Sequence, residues 1–197
     1  YGTNTPAVIQ RNILENPVWY TSYTPYQAEV SQGRLEALFV YQTMISDLTG
    51  LPLANCSLLD EATAAAEAVT MMRNLRSRDM VKAGVKKVLV DKKIFANTLN
   101  VMRTRAKGQD IELVLVDYAM VNSDWLAENG PFFGAIVQWP NADGSIEDYA
   151  AFIDDCHAAG LKVTVIADLM ALALLKPLNA DIMCGTAQRF GLPMGFG

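Results

Sequence analysis

Four side chains that could take part in chemistry follow short, mainly apolar runs. Asp91, Asp117, Trp139 and Asp168 each come directly after such a run. Runs that are apolar on both faces are typical of strands buried in a parallel sheet between helices. Because such sheets bind ligands at the carboxyl ends of their strands, we expect any active site to lie near these four residues.

The densest cluster of polar and aromatic side chains occupies residues 19–27, which we call the aromatic strip. Glu29, Ser31, Gln32 and Arg34 follow it closely. Clusters of this composition are typical of interfaces. The alternative is a loop that wraps the domain and caps the next helix.

The metal-binding and nucleophilic residue types are sparse. His157 is the only histidine, at the C-terminal end of a predicted helix, where we expect a structural role. Cys56, Cys156 and Cys184 are far apart and form no CxxC pair, which favours buried thiols over disulfides or zinc ligands. We predict neither a metal site nor a Ser–His–Asp arrangement.

The glycine-rich segment 191–197 follows a predicted strand but precedes no predicted helix. A dinucleotide-binding fingerprint needs both elements, so the segment does not support one. We expect its glycines to allow a tight loop.

Composition sets wider limits. The chain has 197 residues, 51% hydrophobic and 19% charged, with a formal net charge of −5. No basic run exceeds two residues, which excludes the electrostatic pattern of nucleic-acid or anionic-membrane binding. The longest uncharged run, 129–142, has 14 residues and two prolines, whereas a membrane-spanning helix needs roughly 20 apolar residues.

Periodicity changes once along the chain. Residues 1–78 carry helical signals, and residues 79–197 alternate strand and helix signals. Three early helices are predicted: one that Thr5 caps and Pro6 opens, one over 35–48 that Gly50 ends, and one from Asp60-Glu61 to Arg76. Strands are predicted over 88–90, 111–116, 135–138, 162–167 and 181–184, and later helices over 96–107 and 146–159.

These elements predict one three-layer α/β domain with a mostly parallel sheet, in which the helical segment 1–78 packs on the sheet core 79–197. Since the chain starts at Tyr1 and stops in the glycine-rich segment at Gly197, we expect an excerpt from a longer polypeptide.

Segments spread over the whole chain resemble the glycine dehydrogenase (decarboxylating) family, the P-protein of the glycine cleavage system. The longest is YTPYQAEVSQGRLE at 23–36. The others are QTM at 42–44, LLDEATAAAEA at 58–68, RTRA at 103–106 and AQRFGLPMG at 187–195. The resemblance implies the large domain of a fold-type-I enzyme that depends on pyridoxal phosphate.

The resemblance also implies which half of the enzyme this is. Members of the family carry two similar halves, fused or separate, and only the C-terminal half holds the lysine that bonds the cofactor. In fold-type-I enzymes that lysine follows the sixth strand of the sheet. Gln188 occupies this place, after the strand predicted over 181–184, and a glutamine cannot form a Schiff base. We therefore expect the N-terminal half, truncated after the sixth strand and without a catalytic residue of its own.

Other positions agree with that implication. The helix that would hold the cofactor phosphate starts with Asp60-Glu61, and carboxylates oppose the binding of a dianion. Phe95 lies where the active half would place a histidine over the cofactor ring, or else it is a core residue. Asp168 lies where such enzymes pair an Asp with the pyridinium nitrogen. We favour the alternative, in which Asp168 caps the segment 169–175.

By the resemblance, the parent enzyme decarboxylates glycine with pyridoxal phosphate held by the other half. It then passes the aminomethyl group to the lipoyl arm of the H-protein. The partners would be the lysine-bearing half, the H-protein and the other components of the system. The aromatic strip would complete the partner's active site through Tyr23, Tyr26, Ser31 and Gln32. The compartment would be the bacterial cytoplasm, or the mitochondrial matrix in a eukaryote.

Two other interpretations stay open. The chain could be a self-sufficient pyridoxal phosphate enzyme that uses Lys92, Lys93 or Lys162, although none of these follows the sixth strand. It could also be a scaffold that contributes nothing to the partner's pocket.

Overall fold

A five-stranded parallel sheet organises the chain, in a computed structural model that describes residues 3–20, 28–55 and 58–192. The strand order is β2-β1-β3-β4-β5, and every neighbouring pair is parallel. The strands are β1 (Lys87–Asp91), β2 (Glu112–Val116), β3 (Phe132–Trp139), β4 (Lys162–Ala167) and β5 (Ile182–Cys184). All five predicted strands are present, and β5 is the one expected as the sixth of the family's sheet.

Helices cover both faces of this sheet. The α-helices are α1 (Ala7–Ile9), α2 (Ala28–Thr49), α3 (Glu61–Asn74), α4 (Arg78–Lys82), α5 (Ala96–Lys107), α6 (Ser123–Asn129), α7 (Ala150–Ala158) and α8 (Leu169–Leu172). A π-helical turn continues α1 over Gln10–Leu14, and 3-10 helices span Pro17–Trp19, Tyr118–Met120 and Ala187–Phe190. The short helices α4 and α6 were not predicted, and α7 begins four residues later than the predicted start at 146.

Alternate residues of the strands pack into two separate clusters. On one face, Leu89 and Val137 pack with Phe152 of α7. On the other face, Val88 and Ile136 pack with apolar residues of α3 and α5. The predicted α/β fold with three layers is therefore confirmed.

The helix α3 lies close to the sheet because its inner face is rich in alanine. A Cβ atom at Gly134 would lie 2.6 Å from Met72 Sδ, so the sheet has a glycine where α3 comes nearest. Met72 is near the C-terminal end of α3, and Gly134 is near the start of β3. The N-terminus of α3 therefore lies at the carboxyl edge of the sheet.

The start of the first helix differs from the prediction. Pro6 is the N-cap residue of α1, and no side chain caps this helix. The Thr5 hydroxyl instead donates a hydrogen bond to Gly191 O at 2.5 Å, 186 residues away in sequence. The prediction of Thr5 as a helix cap was wrong because a tertiary hydrogen bond takes this hydroxyl.

Within the described ranges, none of the helices combines the length and the hydrophobicity that crossing a membrane requires.

Candidate functional site

The candidate site lies at the carboxyl edge of the sheet, below the first turn of α3. Gln138 is four residues further along β3 than Gly134, a distance of roughly 13 Å. That distance corresponds to about nine residues of α3, counted back from Met72 to the first turn. The Gln138 side chain is 4% exposed, and its Oε1 has no hydrogen-bond partner in the part of the chain that the structure describes.

Asp168 follows β4 directly and uses each of its carboxylate oxygens. Its Oδ1 accepts a hydrogen bond from Met170 N at 2.9 Å, so Asp168 caps α8, as we favoured from the sequence. The capped helix ends at Leu172, before the predicted limit at 175. The Oδ2 of Asp168 accepts a hydrogen bond from Arg189 Nε at 2.7 Å. A cationic group of this chain therefore occupies the carboxylate that a pyridinium nitrogen would need.

Glu61 is the first residue of α3 and faces the same space. Burial raises the pKa of Glu61, and the negative charge of Asp168 raises it further. The neighbouring Asp60 accepts a hydrogen bond from Thr63 N at 2.7 Å and caps the helix. Since both acids stand at the N-terminus of α3, an anion there would be repelled.

Gln188 lies in the 3-10 helix that follows β5. Its backbone N–H donates to Thr186 Oγ1 at 3.4 Å, and its carbonyl accepts from Gly191 N at 3.0 Å. The turn is thus held by its own backbone, and no lysine follows β5 in the described residues 185–192.

The three alternative lysines are all in ion pairs. Lys92 Nζ lies 2.5 Å from Asp117 Oδ2, and Lys93 forms an ion pair with Glu147. The hydrogen bond to Glu147 raises the pKa of Lys93, which keeps this amine protonated and a poor nucleophile. Lys162 starts β4, at the opposite edge of the sheet from the candidate site.

A second polar cluster lies at the carboxyl ends of β1 and β3, and we call it the Tyr149 network. The Tyr149 hydroxyl lies 2.7 Å from Asp91 Oδ2 and 2.6 Å from Asn141 Oδ1, and it donates its single proton to one of these two acceptors at a time; all three residues are buried. Burial, the hydrogen bond to Asp91 and the charge of Asp91 raise the pKa of Tyr149. Glu147 adds to this region by accepting a hydrogen bond from the Tyr118 hydroxyl at 2.9 Å.

Sequence reasoning placed Asp91, Asp117 and Trp139 near this network but missed its other members. Trp139 is buried, and its indole N–H donates to Glu147 O at 3.1 Å. Asp117 Oδ1 accepts from Ala119 N at 3.2 Å and so caps a 3-10 helix. The carboxyl edge thus holds two separate clusters rather than one site.

Most of the residues expected to complete a partner's site lie outside the described residues. These are Tyr23, Tyr26 and the side chain of Ser31. Gln32 is described, and it is exposed on α2. Arg34 is two residues further along α2 and therefore points to roughly the opposite side of the helix. It donates from Nη2 to Val18 O at 2.8 Å and from Nε to Trp19 O at 3.3 Å. The beginning of the aromatic strip is therefore attached to α2.

The structure contradicts the prediction for Phe95 and agrees with the one for His157. Phe95 is 39% exposed at the N-cap position of α5, so its interpretation as a core residue was wrong. His157 Nε2 lies 2.8 Å from Asp181 Oδ2, away from the candidate site, which agrees with a structural role. The structure therefore assigns His157 to an ion pair outside the candidate site and Phe95 to the exposed start of α5.

Both cysteines within the described residues, Cys156 and Cys184, are free thiols with a raised pKa. Burial raises the pKa of Cys156 to about 12, with a smaller contribution from Asp155. Burial and the charge of Glu61 raise the pKa of Cys184. Cys56 lies outside the described residues. Within those residues, no group of three His, Cys, Asp or Glu side chains is arranged to bind a metal ion.

Comparison with known proteins defines the class and then the family. A solved structure described as glycine decarboxylase (P-protein) of the glycine cleavage system, in inhibitor-bound form, superposes with a TM-score of 0.79 at 34% identity, over 97% of this chain and 43% of that chain. The fold is that of fold-type-I pyridoxal phosphate enzymes. The family model of the glycine cleavage system P-protein matches residues 1–197, and the chain belongs to this family.

Curated relatives carry the name glycine dehydrogenase (decarboxylating). The relative from Bacteroides thetaiotaomicron is 59% identical over 201 residues, covering 100% of this chain and 20% of the relative. The mitochondrial relative from Solanum tuberosum is 51% identical over 200 residues, covering 100% of this chain and 18% of the relative. The chain thus spans about one fifth of the length of these relatives.

The residues at the candidate site do not fit pyridoxal phosphate. Gln188 cannot bond the aldehyde, and the Asp168 carboxylate already holds the Arg189 guanidinium. Asp60 and Glu61 place negative charge at the helix terminus where a phosphate would bind. We therefore derive no catalytic step at this site from the cofactor.

Proposed function

We propose that this chain belongs to the N-terminal, non-catalytic half of a glycine dehydrogenase (decarboxylating). The observation that carries the proposal is the loop after β5, where Gln188 stands in place of a lysine and Arg189 pairs with Asp168. Residues 1–78 and 79–197 form one domain in this proposal, which the packing of Ile45 and Leu48 against the core supports.

The parent enzyme removes carbon dioxide from glycine and passes the aminomethyl group to the lipoyl arm of the H-protein. The names of the relatives support the glycine dehydrogenase activity. Pyridoxal phosphate, bound by the lysine-bearing half, supplies the electron sink for decarboxylation. The compartment is the bacterial cytoplasm or the mitochondrial matrix, and the mitochondrial name of the potato relative supports the second for eukaryotic members.

This half contributes binding surface rather than acid–base chemistry. The aromatic strip reaches the partner half and confines glycine and the lipoyl arm, with Tyr23, Tyr26, Ser31 and Gln32 as hydrogen-bonding and packing groups. The exposure of Gln32 and the attachment of Val18 and Trp19 to Arg34 support this role. An exposed amide on a fixed helix can hydrogen-bond a partner at little cost in conformational entropy.

Substitution of Gln32 in the complete enzyme tests the proposal. We expect Gln32→Ala to lower glycine decarboxylation by about tenfold, the loss of roughly one hydrogen bond in a buried pocket. Its thermal stability and its pyridoxal phosphate absorbance should stay unchanged, because Gln32 is exposed in this half.

Asp47→Ala is the matched control, since Asp47 is also exposed on α2 but lies near its C-terminal end. Unchanged turnover in Gln32→Ala, with assembly intact, would favour a scaffold that adds nothing to the pocket.

A further inference from the structure

The loop that follows β5 packs against the end of β4. A Cβ atom at Gly185 would lie 2.2 Å from Ala167 O, so the chain crosses the end of β4 in close contact. The 3-10 helix Ala187–Phe190 comes next, and Gly191 ends it with φ 86°. We call residues 185–191 the β5 loop. Its internal hydrogen bonds fix its shape but do not fasten it to the domain.

One attachment to the domain is the ion pair at Asp168. Arg189 Nε donates to Asp168 Oδ2 at 2.7 Å, with 34% and 23% of the two side chains exposed. Asp168 Oδ1 meanwhile caps α8 through Met170 N. One carboxylate therefore joins the end of β4, the start of α8 and the β5 loop.

The second attachment comes from the opposite end of the chain, residues 3–6, which we call the N-terminal strap. Thr3 Oγ1 donates to Arg189 O at 2.7 Å, and Thr5 Oγ1 donates to Gly191 O at 2.5 Å. A Cβ atom at Gly191 would lie 2.6 Å from Asn4 O, so the strap and the loop meet backbone against backbone. Arg189 is held at both its side chain and its carbonyl.

These contacts restrict the β5 loop at its side chains and at its backbone. An ion pair between a loop and the sheet restricts the loop, and fixing a backbone in advance removes the entropy that a partner would otherwise have to overcome. Ala187 and Phe190 also pack against the core cluster of the sheet. The loop is thus fixed from three directions.

We propose that Arg189 and Asp168 are positioning residues that, together with the N-terminal strap, hold the β5 loop in the conformation that the lysine-bearing half requires for glycine turnover. The inference rests on the proposed function and extends it from the aromatic strip to a second surface. The Asp168 carboxylate thereby fixes a loop for the partner half.

The complete enzyme carrying Asp168→Asn tests the ion pair alone. Asparagine is as good an N-cap as aspartate, so α8 stays capped while the charge is removed. Trypsin cleaves after Arg189, and mass spectrometry measures the rate at which the peptide ending there appears. Two further measurements are made on each variant: the steady-state kinetics with glycine as substrate, and the absorbance of the bound pyridoxal phosphate. Asp168→Glu keeps the charge, and Asp110→Asn removes the exposed ion pair with Lys86 as a matched control.

We expect Asp168→Asn to raise cleavage after Arg189 by about tenfold, since cleavage follows the population of the open form. The kcat for glycine should fall with unchanged cofactor absorbance, and Asp168→Glu should restore most of both values. Thr5→Val should raise cleavage in the same way, and Thr5→Ser should not.

The outcomes separate the inference from the proposed function. If the rate of tryptic cleavage after Arg189 is unchanged in both Asp168→Asn and Thr5→Val, the ion pair and the strap do not fasten the loop, whatever the glycine turnover of these variants. Faster cleavage with unchanged kcat would overturn the requirement of the partner half for this loop, while a loss of turnover in Gln32→Ala would still support the proposed function.

Discussion

The two polar clusters at the carboxyl edge of the sheet differ in what their side chains bind. In the Tyr149 network, Tyr149, Asp91 and Asn141 bind one another and are all buried. At the candidate site, Asp168 and Glu61 face a half-exposed loop that the N-terminal strap also reaches. The first cluster is closed on itself, whereas the second joins distant parts of the chain at the surface.

The first cluster therefore affects the stability of the whole domain, whereas the second affects the conformation of a surface loop. A buried network that satisfies its own donors and acceptors contributes to global stability, because each lost partner exposes a desolvated group. A half-exposed ion pair contributes little to global stability, because solvent screens it. Its effect is local, on the opening of the loop that it fastens.

The largest expected effect comes from breaking the Tyr149 network. Tyr149→Phe removes the hydroxyl that serves Asp91 and Asn141. We expect it to lower the free energy of unfolding by about 1–3 kcal/mol, since a buried acceptor left without its hydrogen-bond donor costs about that much. Urea denaturation measures the loss, and tryptic cleavage after Arg189 should keep its native-state rate.

Tyr118→Phe is the control for a tyrosine hydroxyl in the same region, because Tyr118 is less buried and binds only Glu147 in the described structure. An equal loss of stability in both variants would contradict the importance of the buried network.

The next effect concerns the contact between the β5 loop and the strap. Gly191→Ala puts a Cβ atom 2.6 Å from Asn4 O at a residue with φ 86°. The conformation alone should cost about 1–2 kcal/mol of stability. In addition, the strap must move away, so we expect faster tryptic cleavage after Arg189.

Gly144→Ala distinguishes these two causes. Gly144 has φ 83°, yet a Cβ atom there has no neighbour within 4 Å. Gly144→Ala should therefore lower stability through its left-handed backbone conformation, without faster tryptic cleavage after Arg189. Equal cleavage rates in the two variants would mean that the strap does not depend on Gly191.

Local patterns predicted the five strands and the starts of α3 and α5. The β-branched runs of β1 and β4 are apolar on both faces, and Asp60 stands where a helix cap belongs. These signals act over a few residues, so one sequence is sufficient to recognise them. The absence of a lysine at Gln188 could be noticed only through the resemblance to the family, which implies a lysine after this strand.

The contacts that organise the two clusters could not be predicted in this way. Tyr149 is 58 residues from Asp91, and Thr5 is 186 residues from Gly191. Thr5 next to a proline has the local pattern of a helix cap, but its hydroxyl binds the β5 loop. Phe95 was given a core position by hydrophobicity alone, although it lies at the exposed start of α5.

The smallest expected effect concerns the charge of Glu61. Burial and the charge of Asp168 raise its pKa, so the folded protein binds a proton at Glu61 more tightly than the unfolded chain does. At neutral pH the ionised carboxylate therefore lowers stability, and this loss is relieved as pH falls through the folded pKa. Glu61→Gln should raise the free energy of unfolding at pH 7 by less than about 1 kcal/mol, because the lost interaction with the helix dipole offsets part of the gain.

Urea denaturation of Glu61→Gln at several pH values measures this gain, which should disappear below the ordinary pKa of a glutamate. Glu67→Gln, on an exposed face of the same helix, is the control. If Glu61→Gln instead destabilised the chain at pH 7, the carboxylate would have a favourable partner and the site would tolerate more negative charge. The two clusters would then differ in burial but not in electrostatics, and a phosphate at the start of α3 would meet less repulsion.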